Sequence, residues 1–385
     1  MKSRSALEDL RRASEKLKAA PVRDRIREVS RLAARRLRRD DPFRKKALRS
    51  LEDEGGFPPP MAEEILGRLF GKFSSPSWGH ALKKTRLFSS RDRVAAWLFP
   101  SNVPDPVAVH VLVGLGRGVS SLVRFSSRFR GFGAAFVASI KADSKLFRDA
   151  VLEIPDRERF CRLAAGADLI GAFGEDETIA RVRRRIGQKP RLVAYGRRLS
   201  FGVVFRSSLT GAKAASTARA SARDVWLYDQ RGCLSPRMYF VEGGTADFAR
   251  LLKKELEDLA RRGGVRRPYE LALERRRFLD RLAAASAGGK KVFMEGGAGN
   301  GAAVFRWEEK GVPAGTGGQV IGVKPFRDIR EVLKDLDPFR GVIQGLSVAG
   351  TPREASMTKK LFRSSSVRHL SAAGEIQNPA VEVLL

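Results

Sequence analysis

Two cysteines and three histidines are all that 385 residues offer of the side chains that most often close disulfides or hold metals. Cys161 and Cys233 cannot build a disulfide framework, and His80, His110 and His369 show no metal-ligand spacing with them. Neither a disulfide nor a metal is expected. Long apolar runs are missing as well. Residues 107–115 are too few to span a bilayer and are interrupted by His110, while residues 1–10 carry Glu8 and Asp9 where a signal peptide needs an apolar stretch. A cytoplasmic chain without a membrane span is expected. Acidic residues are scarce: 43 Asp and Glu against 74 Lys and Arg leave a formal charge of +31. Such an excess attracts polyanions. The basic residues are spread through every segment, however, and no helix-turn-helix, zinc knuckle or ribonucleoprotein motif accompanies them. Nucleic acid is therefore expected to bind only non-specifically.

What is present belongs to a folded protein. A chain of this length with 43% hydrophobic and 30% charged residues can bury two cores. Over residues 5–70 apolar residues recur at helical spacing, as in Ile26, Val29, Ala33 and Leu37, and again in Met61, Ile65 and Leu69. Residues 54–60 (EGGFPPP) break this helical leader in two. After Lys84 short β-rich runs alternate with helical ones. Residues 94–99, 121–125, 168–172, 191–195 and 201–205 read as strands, and 104–114, 144–151 and 176–186 as helices. This α/β alternation is the signature of a doubly wound parallel sheet, which binds ligands beyond the carboxyl ends of its strands. Farther on, residues 225–228 and 238–241 read as strands on either side of a turn, and 246–262 as a helix. The expected organisation is a helical leader at 1–85, a nucleotide-binding α/β domain at 86–206, a second α/β domain at 207–345 and a tail at 346–385. The glycines of residues 114–118 follow a helix, and those of 296–301 are not followed by a long helix, so neither group meets the context of a dinucleotide fingerprint. No Walker sequence is present.

The most informative stretch is residues 228–237, YDQRGCLSPR. Cys233 follows Gly232 and stands two residues before Ser235, in a turn between two β-like runs, and Arg231 and Arg237 favour its thiolate. The residues alone read equally well as a buried small side chain. Cys161 lies among helical residues and reads as structural filling. Asn102, in FPSNVP at 99–104, reads by itself as a turn residue between prolines. Arg124 and Arg128 read equally as a solvated basic face or as phosphate contacts.

The run YDQRGCLSPR resembles the nucleophile segment of the long-chain acyl-CoA reductases, the fatty-acid reductase (LuxC-type) component of bacterial bioluminescence and its relatives in the aldehyde-dehydrogenase superfamily. Residues 99–104 resemble that superfamily's Pro-x-Asn-x-Pro loop, whose asparagine amide shares the oxyanion hole with the N–H of the nucleophile. Residues 121–127 (SLVRFSS) resemble the strand that ends in a Lys-Pro-Ser-Glu contact to the adenosine ribose, with Arg124 at the lysine position, Ser126 at the serine and Ser127 at the glutamate. Residues 167–178 (ADLIGAFGEDET) resemble the segment that covers the pyrophosphate, with Gly174 and Glu175 at its Gly-Ser positions. The similarity runs from about residue 94 to 241, and more faintly through 315–348 and 374–379. It does not reach residues 1–85. It implies an aldehyde-dehydrogenase-like α/β fold with Cys233 and Asn102 catalytic, and with Arg124, Ser126, Ser127, Gly174 and Glu175 at the cofactor.

The chemistry is coherent with those residues. Reducing a thioester to an aldehyde needs a thiol to capture the acyl group, donors for the oxyanion and a nicotinamide beside the acyl carbon. Departures from the superfamily sharpen the reading. Hydrolytic relatives carry a Glu-Leu-Gly-Gly segment whose glutamate activates water; the corresponding residues 193–198 (VAYGRR) hold no carboxylate, which favours acyl reduction over aldehyde oxidation. Ser127 in place of a ribose-binding glutamate, beside Arg124 and Arg128, favours NADPH. The Glu-Phe-Gly-Pro segment that holds the nicotinamide ribose is not recognisable; residues 315–319 (GTGGQ) lie near its place. The expected partner is acyl-CoA or an acidic acyl carrier protein, either of which also accounts for the charge, and a homo-oligomer is compatible. Two other readings stay open: a non-catalytic polyanion- or nucleic-acid-binding descendant of the fold, and a thiol semialdehyde dehydrogenase.

Overall fold

The computed structural model describes residues 2–187, 190–295, 301–313, 315, 317–364 and 367–385. The chain divides into two compact units, the first made of Met1–Gly55, Ala62–Arg197 and Ala380–Leu385, the second of Gly56–Met61 and Arg198–Pro379.

The first unit is built on five parallel strands, β1 Val94–Leu98, β2 Ser120–Arg124, β3 Val151–Glu153, β4 Leu169–Phe173 and β5 Arg191–Tyr195, in the order β3-β2-β1-β4-β5. β1, β2 and β4 open with four successive buried residues (VAAW, SSLV and LIGA), the pattern of strands covered on both faces. The chain leaves β1 toward β2 on one side and returns from β3 to β4 on the other, so the carboxyl ends of β1 and β4 flank the switch point of the sheet. The helices of residues 2–84 belong to this unit except where Gly56–Met61 departs. Leu10 shares a core cluster with Val94, Ala96, Leu122 and Ile170. The Ser14 hydroxyl donates to the Gly118 carbonyl at 2.7 Å.

The second unit holds seven strands, β6 Leu199–Val204, β7 Pro236–Glu242, β8 Val292–Met294, β9 Ala303–Trp307, β10 Val320–Phe326, β11 Ile343–Ala349 and β12 His369–Ala372, in the order β12-β11-β6-β7-β10-β9-β8. All pairings are parallel except β8 with β9. Phe201, Val203, Met238, Phe240, Phe305 and Leu346 lie in its core.

Several expectations change. Residues 225–228 are not a strand: Val225 and Trp226 end the helix Ala212–Trp226, and their apolar side chains are that helix's buried face. Residues 144–151 are not a helix. The helix Arg130–Asp143 ends before them, the Ser144 hydroxyl accepts the Phe147 N–H at 3.2 Å, and Val151 already starts β3. The run 201–205, expected in the first domain, is β6 and pairs with β7 and β11 in the second sheet. Strands β11 and β12 extend that sheet into the segment expected as a tail. The glycines of 114–118 end the helix Asp105–Arg117, where a Cβ on Gly116 would stand 2.7 Å from Trp78 and Gly118 caps at φ 78°. Of the glycine cluster at 296–301 only Gly301 is among the described residues, and Thr316 also lies outside them.

Candidate active site

In the first unit the segments singled out for the cofactor and for Asn102 follow three neighbouring strands. Asn102, half-buried, lies in the loop between β1 and the helix Asp105–Arg117. Arg124 ends β2, and Ser126 and Ser127 follow it; Gly174 and Glu175 follow β4. Since β2, β1 and β4 are adjacent, these residues share the carboxyl edge of the sheet at its switch point, across about 10 Å. The loops are tied together: the Phe99 N–H donates to the Arg124 carbonyl at 3.1 Å, and the Ser126 hydroxyl donates to the Pro100 carbonyl at 3.1 Å. Ser126 thus braces the Asn102 loop. Ser127 is exposed, and the Arg124 guanidinium donates to the Pro155 carbonyl at 3.3 Å.

Gly174 has φ 150°, and a Cβ there would approach Thr178 to 3.1 Å, so a side chain is strained at this entry to the helix Asp176–Ile186. Glu175 is the N-cap of that helix and makes no side-chain cap. An uncapped helix start behind a glycine fits a nucleotide pyrophosphate. The carboxylates of Glu175, Asp176 and Glu177 are exposed and oppose an anion, which leaves the backbone as the phosphate-facing element.

Behind this edge sits a buried aromatic cluster. His110 lies with its ring centroid 4.8 Å from Trp97, 5.1 Å from Phe173 and 5.1 Å from Tyr195. Its Nδ1 is 2.9 Å from the Pro106 carbonyl, and its Nε2 is 3.1 Å from the Tyr195 hydroxyl, which lies 3.2 Å from the Leu385 carbonyl. Burial pushes the His110 pKa down to about 4, against the weaker pull of the Pro106 carbonyl.

Cys233 stands in the second unit, exposed, in a turn between the helix Ala212–Trp226 and β7. The turn is closed by the Ser235 N–H on the Gly232 carbonyl at 3.1 Å. The Ser200 hydroxyl of β6 donates to the Cys233 carbonyl at 2.8 Å. Gln377 donates to the Ser235 hydroxyl at 2.7 Å and to the Asp224 carbonyl at 3.1 Å, and the Gly374 N–H donates to the Asp224 carboxylate at 2.7 Å. Residues 374–379 therefore fasten the turn from behind. Cys161 is half-buried on the helix Arg157–Ala164 of the first unit.

Residue reading passed over Phe57, in the EGGFPPP break. It belongs to the second unit, where its ring meets Tyr228 edge-on at 6.4 Å and carries the Arg231 guanidinium at 4.0 Å. The Arg266 N–H donates to the Gly56 carbonyl at 2.9 Å. Two glycines and three prolines around one phenylalanine signal a chain break, and nothing local says what the phenylalanine covers. Among the described residues no group of three His, Cys, Asp or Glu could hold a metal, and no helix is long and apolar enough to cross a membrane.

The parallel five-stranded sheet of the first unit and the mostly parallel seven-stranded sheet of the second are those of the aldehyde-dehydrogenase fold. The chain matches the putative aldehyde dehydrogenase PutA of Anabaena variabilis with a TM-score of 0.71 at 15% identity, covering 98% of this chain and 84% of that one. It matches lactaldehyde dehydrogenase of Escherichia coli with a TM-score of 0.71 at 15% identity, covering 96% and 82%. Against a mutant proline utilization A of Bradyrhizobium japonicum the TM-score is 0.71 at 14% identity, and the match covers 97% of this chain but 40% of that longer one. No protein of curated function matches the chain. The model of the acyl-CoA reductase (LuxC) family matches residues 91–380, and the chain belongs to that family. The family and the fold make it an oxidoreductase of acyl groups that uses a nicotinamide cofactor.

Proposed function

We propose that the protein reduces a fatty acyl thioester, carried on coenzyme A or an acidic acyl carrier protein, to an aldehyde with NADPH, through an acyl group held on Cys233. The observation that carries this reading is the exposed Cys233 turn, backed by Ser200 and Gln377, in a chain of the acyl-CoA reductase family. The Cys233 thiolate adds to the thioester carbonyl, and the resulting oxyanion is held by the Cys233 N–H, with the Asn102 amide as the further donor that the family resemblance implies. Collapse expels the carrier thiolate, which takes up a proton, and leaves the acyl group on sulfur. A nicotinamide, when bound, would supply the hydride for this acyl carbon. A second collapse returns the Cys233 thiolate and releases the aldehyde. Residues 193–198 carry no carboxylate to activate water, so the acyl enzyme persists until reduction.

At the cofactor edge, Ser127 presents no negative charge to a 2′-phosphate, and Arg124 attracts one. NADPH is therefore expected to support faster turnover than NADH. The backbone at Gly174 and the start of the helix Asp176–Ile186 face the pyrophosphate.

Brief incubation with a long-chain acyl-CoA followed by peptide mass spectrometry should show an acyl adduct on Cys233. Cys233→Ala should lose both adduct and reductase turnover, whereas Cys161→Ala should keep both. Equal loss in the two variants, or no adduct in the wild type, overturns the reading.

A further inference from the structure

Three residues before the cysteine turn carry unusual backbone. Tyr228, Asp229 and Gln230 have φ of 59°, 52° and 57°, left-handed and none of them glycine. Each such residue costs on the order of 1 kcal/mol or more, so the run persists only where its surroundings over-determine it. Asp229 is fully buried, and Arg267 grips its carboxylate with two hydrogen bonds, at 2.7 and 3.0 Å. The Gln319 amide donates to the same carboxylate at 3.0 Å, and the Gly318 N–H donates to the Asp229 carbonyl at 3.1 Å. Gln230, also fully buried, accepts the Val320 N–H at 2.9 Å and donates to the Pro236 carbonyl at 2.8 Å and the Val320 carbonyl at 3.1 Å.

The partner segment is left-handed as well, with two glycines that adopt it freely and one glutamine that does not. Gly317, Gly318 and Gln319 have φ of 86°, 68° and 59°, and a Cβ on Gly317 would come within 3.0 Å of the Gln230 carbonyl oxygen. Two left-handed runs, nearly ninety residues apart in sequence, are thus laced into one body. A buried ion pair is a poor source of stability, because desolvating two charges offsets most of their attraction; what it supplies is direction. The direction here is imposed four residues before the thiol.

We infer that Asp229, gripped by Arg267 and Gln319, is the positioning residue that fixes the Cys233 turn and locks it to the segment ending at Gln319. The inference rests on Cys233 being the nucleophile. Loosening the clamp lets the thiol drift from the flanking Arg231 and Arg237 that favour its thiolate, which lowers its reactivity and raises the pH at which it ionises.

Alkylation of the full-length protein by iodoacetamide, followed at the Cys233 peptide between about pH 6 and pH 9, reads this without substrate, and Cys161 serves as the internal control. Asp229→Asn is expected to slow Cys233 alkylation at neutral pH about tenfold and to move its pH midpoint upward, with Cys161 unchanged. Asp229→Glu should recover part of the rate. Arg267→Lys and Gln319→Asn, which leave the carboxylate in place, should give smaller shifts in the same direction and carry the test if Asp229→Asn does not fold. A folded Asp229→Asn, or in its absence both milder variants, with Cys233 rate and midpoint within about twofold of wild type would overturn the inference and leave the pair a purely structural contact. The acyl-adduct experiment on the wild type fails or succeeds independently, so loss of the reductase reading is not mistaken for loss of this one.

Discussion

Asn102 is placed by its neighbours more than by itself. Pro100 and Pro104 stiffen the loop on either side, and the Ser126 hydroxyl holds the Pro100 carbonyl, so residues other than Asn102 contribute to the frame that presents its amide. Asn102→Ala should therefore leave the fold intact. In the proposed reaction the charge on oxygen is largest in the transition state, so the loss should fall on kcat, by about a hundredfold, with KM little changed. Steady-state NADPH oxidation with a long-chain acyl-CoA checks this, and a near-normal kcat would return Asn102 to the role of a turn residue. At this scale the sequence was informative where a residue's chemistry and its local frame coincide, as at the Cys233 turn. Phe57 was illegible because its role depends on Tyr228 and Arg231, which lie far along the chain. Nothing local marks Asp229 as buried, and only the structure shows it held against Arg267.

Among elements, β1, β2, β4 and β5 fall within a residue or two of their expected places, because short apolar runs separated by amphipathic helices leave little choice. The sheet that a strand joins is a different matter. β6 has the same local composition as the strands before it, and its pairing with β7 and β11 is decided by residues more than thirty positions away. The helix Asp105–Arg117 shows what element packing does to a titrating group. His110 stands on its fully buried face, and the surrounding aromatic rings exclude the water that an imidazolium needs. With its folded pKa near 4 and an ordinary value of 6.5, the unfolded chain binds the extra proton first. Stability is thus fully present above about pH 6.5 and is lost as pH falls toward 4, by about 2 kcal/mol at pH 5. Urea unfolding at pH 7.5 and pH 5 should show this loss. His110→Phe, which cannot take up the proton, should show less of it, and an equal acid loss in both proteins would assign the effect to other groups.

For the whole molecule the dominant fact is the charge of +31. Some of the cations are consumed internally, as Arg36 is by Asp41 and Asp143 and Arg267 by Asp229. Others have no ion-pair partner among the described residues: Arg183, Arg184 and Arg185 are all exposed along the end of one helix. A net field of one sign raises the encounter rate of any polyanion, and salt screens it over a Debye length of about 10 Å at 0.1 M. Acyl-CoA carries several phosphate charges, whereas an acyl thioester of N-acetylcysteamine carries none and offers Cys233 the same carbonyl. If the field guides the proposed substrate, second-order acylation of Cys233 by acyl-CoA should fall several-fold between about 0.05 and 0.5 M salt, while acylation by the neutral thioester should stay nearly flat. The comparison separates steering from chemistry, because a salt effect on the thiolate itself would slow both reagents alike. Parallel curves would show that the charge does not serve substrate capture, and a flat response to acyl-CoA would show that its phosphates are not guided by this field.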